Sequence, residues 1–270
     1  MSRTYARFIA FAVKCITAPM VTYRRPITRA MVVEKLMQRH SVCVDDKIIH
    51  FETPSARSLH DTMSVLDGEV ETIRWINQLP MGTTLWDIGA NVGVYSLYAA
   101  IMRNIHVHAF EPSASSYALL NRNIEINSLD SLIDAYCIAF SDENKLDQLH
   151  MANTEAGHSM HAFGQPNNVR GLIQTKFKQG VPGFTIDAFR SFYNVEPPQH
   201  IKLDVDSIEE HIIRGGTQTL RDHVTSIIVE IEEDTKNLAA TPIYGLLIDL
   251  GFVMTPPDDD RNRNVVFEKP

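Results

Sequence analysis

From residue 84 onward, short apolar runs alternate with longer amphipathic ones, and this alternation limits the folds open to the 270-residue chain more than any other feature. Residues 84–88 read as a strand, 89–93 as a glycine-bearing turn and 94–101 as a helix, and 106–110, 113–127 and 133–140 repeat strand, helix and strand. The rhythm returns with strands at 201–205 and 226–231, helices at 208–213 and 242–250, and two last strands at 252–254 and 264–268. Strands separated by helices on short connections run parallel, with right-handed crossovers. Only two prolines and a charged stretch separate the last two strands, which predicts a closing antiparallel hairpin. The expected fold is α/β, a Rossmann-like doubly wound and mostly parallel sheet closed by an antiparallel C-terminal hairpin.

Two stretches fall outside this rhythm. Residues 1–66 are expected to form a basic N-terminal arm and a β-hairpin cap around Asp45-Asp46-Lys47, leaving 67–270 as the main domain. The first 33 residues carry Arg3, Arg7, Lys14, Arg24, Arg25 and Arg29 and no acid, with apolar residues at helical spacing. Lys14 interrupts the apolar run and no cleavage site follows, so a helix packed on its own domain or a partner is expected, peripheral membrane contact being the alternative. Residues 141–183 are expected to be a long irregular loop, and loops of that length in compact domains usually serve function.

Composition narrows the chemistry. A net charge of −8 argues against a nucleic-acid partner, which needs clustered Lys and Arg, and in favour of a small-molecule or glycan substrate. Three scattered cysteines form neither a zinc pattern nor a disulfide scaffold, which points to a cytoplasmic protein, peripheral at a membrane if the arm binds one.

The strongest local signal is the turn after the first strand of the alternation, carrying Gly89, Ala90, Asn91 and Gly93 behind Asp87. Glycines bend the chain and admit a ligand close to the backbone, and the following helix offers free N–H groups. Asp87 would repel a pyrophosphate and attract an ammonium such as that of S-adenosylmethionine, and Asn91 stands where a dinucleotide fingerprint has glycine. Glu111 and Pro112 end the second strand, where an acid can accept hydrogen bonds from both ribose hydroxyls. Ser141 and Asp142 close the third, as candidate partners of an adenine ring; Ser and Asp also favour turns.

A second constellation comprises Lys202, Asp204, Asp206 and Glu209. By period two the first three share a strand face, with the acids at the carboxyl end where open α/β sheets bind ligands. Asp204 is the candidate proton acceptor, with Glu209, Lys202 and the loop residue His158 as further catalytic candidates. The cluster is also compatible with a divalent cation or with a purely structural Lys–Asp pair, so any metal ligand stays unassigned. Asp187 reads as a helix N-cap, and Glu230 ends a strand facing the same cleft.

These stretches resemble the FkbM-type methyltransferase family: Asp87 to Gly93, Ala109-Phe110-Glu111-Pro112 with Leu120, Asn123 and Asn127 behind it, Thr185-Ile186-Asp187, and Ile201 to Asp206 followed by Glu209 and Gly215. The resemblance covers about residues 65–235. It implies the class I methyltransferase fold, S-adenosylmethionine as cofactor and O-methylation of sugars, glycolipids or other small molecules. Ser207 stands where the family pattern has glycine, which puts catalytic geometry in question unless the serine caps the helix that follows. The competing readings are a non-catalytic member that binds cofactor or a partner, and a nicotinamide-dependent oxidoreductase, the latter disfavoured by Asp87.

Overall fold

The computed structural model describes residues 2–66, 68–168, 171–206, 208–231, 235–256 and 263–270. The chain opens with helices α1 (Ser2–Thr17) and α2 (Arg24–Leu36), the hairpin β1 (Arg39–Val44) and β2 (Lys47–Glu52), and helices α3 (Ala56–Met63) and α4 (Val70–Gln78). The alternation follows as β3 (Thr84–Ile88), α5 (Val94–Arg103), β4 (His106–Phe110), α6 (Ala114–Ile126) and β5 (Ile133–Tyr136). Six short strands come next: β6 (Ala139–Phe140), β7 (Lys145–Met151), β8 (Ala162–Phe163), β9 (Asn167–Asn168), β10 (Gly171–Leu172) and β11 (Phe177–Phe184). The chain ends with α7 (Ile186–Tyr193), β12 (His200–Leu203), α8 (Glu209–Arg214), α9 (Thr217–Asp222), β13 (Ser226–Glu230), α10 (Pro242–Asp249), β14 (Val253–Thr255) and β15 (Asn264–Glu268).

Seven strands form the main sheet in the order β14-β15-β13-β12-β3-β4-β5. The five from β13 to β5 are parallel, and β15 runs antiparallel to both β13 and β14, as the closing hairpin requires. Alternation along β3 splits the core. Trp86 and Ile88 pack with Phe110, Phe140 and Phe189 on one face, while Leu85 packs with Trp75, Leu97 and Val107 on the other. The strand order reverses between β3 and β12, and ligands bind at such switch points.

The stretch 141–183 is not an irregular loop. β7 and β11 pair antiparallel from Met151↔Phe177 to Lys145↔Gly183, and with β6 and β8 they make a second, four-stranded sheet. Gly180, Pro182 and Gly183 read as breakers in sequence, yet partner pairing overrides weak local preference. For the same reason the single third strand expected over 133–140 is two: β5 joins the main sheet and β6 pairs with β11 in the other. The helix expected at 208–213 continues after a break at Gly215 and Gly216 into a further helix, α9.

The hairpin of the N-terminal segment is tied to the main domain by two asparagines. Asn123 Oδ1 accepts from Glu52 N at 2.8 Å, and Asn127 Oδ1 accepts from His50 N at 2.9 Å while its Nδ2 donates to His50 O at 2.7 Å. Both lie on α6, so the otherwise unpaired edge of β2 is satisfied by side chains. Asn123 Nδ2 also donates to Val92 O at 2.8 Å, fixing the glycine turn.

Candidate functional site

The turn after β3 folds as it does because of what it must pass. Gly89, at φ +87°, leaves no Cβ: one built there would lie 1.8 Å from the carbonyl oxygen of Asp204. Gly93, also at φ +87°, leaves room for Leu120 of α6. These glycines let protein segments approach each other, whereas the sequence assigned them to close approach of a ligand. Between them Asn91 adopts φ +50° and donates its N–H to Glu111 Oε2 at 2.9 Å.

Glu111, at the end of β4, is buried and accepts a second backbone bond from Ser113 N at 2.7 Å. Burial pushes its carboxyl up to about 7 against the two N–H donors, and the Asp206 and Asp87 carboxylates add to the rise. Glu111, Pro112, Gly89, Ala90 and Asn91 border one cavity of about 480 Å³ at the carboxyl ends of β3, β4 and β12.

On its β12 side the cavity meets Lys202 and Asp204. Lys202 is buried, its ammonium 2.9 Å from Asp204 Oδ2 and 3.9 Å from Asp87 Oδ1, and it lies 5.2 Å from the ring centre of Tyr95. Burial works to lower its pKa, but the carboxylates of Asp204, Asp87 and Glu69 outweigh it and hold the ammonium above its usual range. Burial likewise opposes ionisation of Asp204, yet Lys202 and a hydrogen bond shared with Glu230 hold that carboxyl below the usual range. Glu69 borders the cavity too, and burial raises its carboxyl against the pull of Lys202.

The third wall comes from the segment between β7 and β8. Asp206, at φ +65°, accepts from Met160 N and so ties that segment to the end of β12. His158 and His161 stack with ring centres 6.1 Å apart, both bordering the cavity. Burial, with a smaller contribution from His158, pushes His161 down to about 4, so its ring is neutral near pH 7. Neither His161 ring nitrogen has a well-formed hydrogen bond among the described residues.

Several expected site residues do not reach the cavity. Asp87 lies beneath it, on the sheet face covered by α5, accepting from the Ser96 hydroxyl; burial raises its carboxyl against Lys202. Gly93 packs on α6. Ser141 donates its N–H to Phe184 O at 2.9 Å within the second sheet, and Asp142 pairs with His211 Nδ1 at 2.7 Å, a bond that lowers its carboxyl and links that sheet to α8. Glu209 accepts from Val205 N at 3.1 Å and braces the turn after β12. Asp187 is not the cap of its own helix: Thr185 Oγ1 accepts from Ala188 N, while Asp187 accepts from Gln218 N, Thr219 N and the Thr219 hydroxyl, capping α9. Ser207 lies outside the described residues, and the N-cap position of α8 is Ile208, which makes no side-chain cap bond.

Other bordering residues carried no signal in sequence. Arg57, His60 and Asp61 arrive on α3, and Leu149 and Phe163 arrive on the second sheet, which the pattern did not reveal. A nucleoside-like ligand fits the donor and acceptor set: Asn91 Oδ1 is buried without a hydrogen-bond partner among the described residues, and Ile138, Phe140 and Leu149 offer an apolar wall. A cation fits less well. Among the described residues, the group that draws three possible ligand atoms together is His106, His108 and Asp134, and it stands at the start of β4, the end remote from Glu111.

The sequence profile of the Methyltransferase FkbM domain matches residues 87–254. The chain is 21% identical over 200 residues to Methyltransferase 1 of Beauveria bassiana, covering 66% of this chain and 78% of that protein. It is 24% identical over 202 residues to Methyltransferase sdnD of Sordaria araneosa, covering 67% and 77%. Among solved structures, Methyltransferase FkbM from Methylobacillus flagellatus superposes with a TM-score of 0.51 at 11% identity. That likeness, which spans 71% of this chain and 44% of the other, concerns the fold alone.

Proposed function

Because the chain belongs to the FkbM methyltransferase family, we propose that it carries a methyl group from S-adenosylmethionine to a hydroxyl oxygen of a sugar, a glycolipid or another small molecule. The observation that carries this reading is that Glu111 and the Lys202–Asp204 pair open on the same cavity from the ends of β4 and β12, the two strands that flank β3. When bound, S-adenosylmethionine supplies a methyl group on a positively charged sulfur. Glu111, once ionised, would accept from its ribose hydroxyls, and the turn at Gly89 to Asn91 and the apolar Ile138 and Phe140 would hold the rest of it.

Asp204 would accept the hydrogen bond of the acceptor hydroxyl and take its proton as the new carbon–oxygen bond forms and the sulfur–methyl bond breaks, the sulfur leaving as the neutral thioether of S-adenosylhomocysteine. The oxygen becomes strongly acidic at that moment, so a carboxylate held low by Lys202 is still basic enough. Lys202 keeps Asp204 ionised and oriented, and Glu209 fixes the turn that carries it. His158 offers the proton a path to solvent. The net charge of −8 disfavours a polyanionic acceptor.

The test is Asp204→Asn, nearly the same shape but unable to take a proton. It should retain S-adenosylhomocysteine binding and slow methyl transfer by about 100-fold or more. Transfer at the parent rate would move the proton acceptor to the segment holding His158. A parent protein that binds S-adenosylhomocysteine but methylates no hydroxyl-bearing fraction would replace this reading with a non-catalytic, cofactor-binding role.

A further inference from the structure

Most of the large apolar residues of α1 fall on one side of the helix and remain uncovered, while Phe11, also exposed, lies off that side next to Arg7. Tyr5, Ile9, Ala12 and Ile16 follow the spacing of a single helical face, and Tyr5 is 66%, Ile9 55% and Ile16 74% exposed. Phe8, beside them, is 68% exposed. Arg3, Arg7 and Lys14 form a second stripe on the opposite side, all exposed and, among the described residues, without an ion pair. The packed side lies between the two stripes, where Thr17 receives a hydrogen bond from Arg29 Nε at 2.8 Å and Arg25 Nη2 donates to Ala18 O at 2.6 Å. Through these bonds α2 holds α1 in place, and α2 itself buries no residue. Apart from each other, neither helix has an extensive contact with another element of the described structure.

Charge separates this segment from the rest of the chain. Residues 1–33 hold six cations and no acid, so within a net −8 chain the remaining residues carry −14. An anionic surface would therefore attract the arm and repel the body, which selects both the surface and the orientation. No described helix is long and apolar enough to cross a membrane, so such a surface would be lain upon rather than spanned.

We propose that α1 docks the protein on an anionic lipid bilayer, lying in the interface with Tyr5, Ile9 and Ile16 sunk toward the acyl chains and Arg3, Arg7 and Lys14 at headgroup level. A basic amphipathic helix binds through buried apolar area and attraction to anionic lipid together, and either half alone is weak. The docking is independent of methyl transfer: the residues bordering the cavity all lie beyond residue 56.

The experiment is flotation of the full-length protein with vesicles of phosphatidylcholine, with and without phosphatidylserine. Association with the phosphatidylserine vesicles and its release by salt are expected, with little association to phosphatidylcholine alone. Ile9→Glu with Ile16→Glu, and separately Arg3→Glu with Arg7→Glu, should each weaken partitioning roughly tenfold or more while leaving S-adenosylhomocysteine affinity unchanged. These positions are exposed, so loss of the fold does not confound the result. The proposal is overturned if the parent does not float with anionic vesicles, if it floats equally with neutral ones, or if either variant floats as the parent does. Concentration-dependent dimerisation that Ile9→Glu abolishes, without vesicle association, would assign the face to a second copy of the chain and overturn it equally.

Discussion

Lys202 and Asp87 occupy the same level of two adjoining parallel strands and meet inside the molecule, Nζ 3.9 Å from Oδ1, while Asp204 reaches the same ammonium at 2.9 Å from the cavity side. One buried cation thus joins the interior of the sheet to the floor of the site.

Lys202→Met should expose that dependence. Removing one partner strands a buried carboxylate, and breaking a buried pair costs about 3–5 kcal/mol. The burial that already raises Asp87 would lose its main opponent, leaving only the Ser96 hydrogen bonds against it, so its folded pKa would rise further above the unfolded value. A raised carboxyl contributes stability below the unfolded pKa and loses it as pH rises through the folded pKa, so the deficit should shrink on acidification. Denaturant unfolding of parent and variant across pH checks this, and equal stability throughout would refute it.

Glu111 should couple cofactor binding to pH. Its pKa is raised to about 7 in the folded chain, and accepting from ribose hydroxyls requires the ionised form. Affinity for S-adenosylhomocysteine should therefore strengthen as pH rises through about 7. Calorimetry should show that dependence flattened in Glu111→Gln, and Glu111→Ala weaker by about 1.5–3 kcal/mol, the range of a charge-assisted hydrogen bond. Unchanged affinity in the alanine variant would remove Glu111 from the site.

Gly89→Ala and Gly93→Ala should differ although both sit at φ +87°. Left-handed backbone costs a non-glycine residue about 1–3 kcal/mol at either position. At 89 the new Cβ would also fall 1.8 Å from a backbone oxygen, whereas at 93 the nearest atom is the tip of the Leu120 side chain, which can turn aside. Gly89→Ala should therefore lower the melting temperature more and displace Asp204. A reversed order would show that the backbone after β12 yields more easily than α6.

Asp187→Ala should cost about 0.5–2 kcal/mol by uncapping α9 and leave S-adenosylhomocysteine affinity untouched. A loss of affinity without loss of stability would instead place Asp187 in the site.

Much of this was legible along the chain because its signals are local. The period of β3, α5, β4 and α6 and the break at each turn set the main sheet, and Glu111 and Asp204 were found because a strand's last residue faces the carboxyl edge wherever that strand lies. The second sheet was not legible, since strands such as β11, with Gly180, Pro182 and Gly183, are held by partners distant in sequence rather than by their own preference.

The same division runs through the site. Residue order determined that acids, a lysine and glycine turns converge at the ends of β3, β4 and β12. Only tertiary structure decided which way each one turns. Asp87 and Glu111 both end parallel strands, yet Asp87 is closed under α5 against Lys202, while Glu111 reaches the cavity. Asp187 caps a helix some thirty residues away rather than its own. Sequence spacing fixes the face of a strand on which a side chain lies, but the neighbouring segment that covers it, and hence its solvation and charge partners, is supplied by contacts remote along the chain.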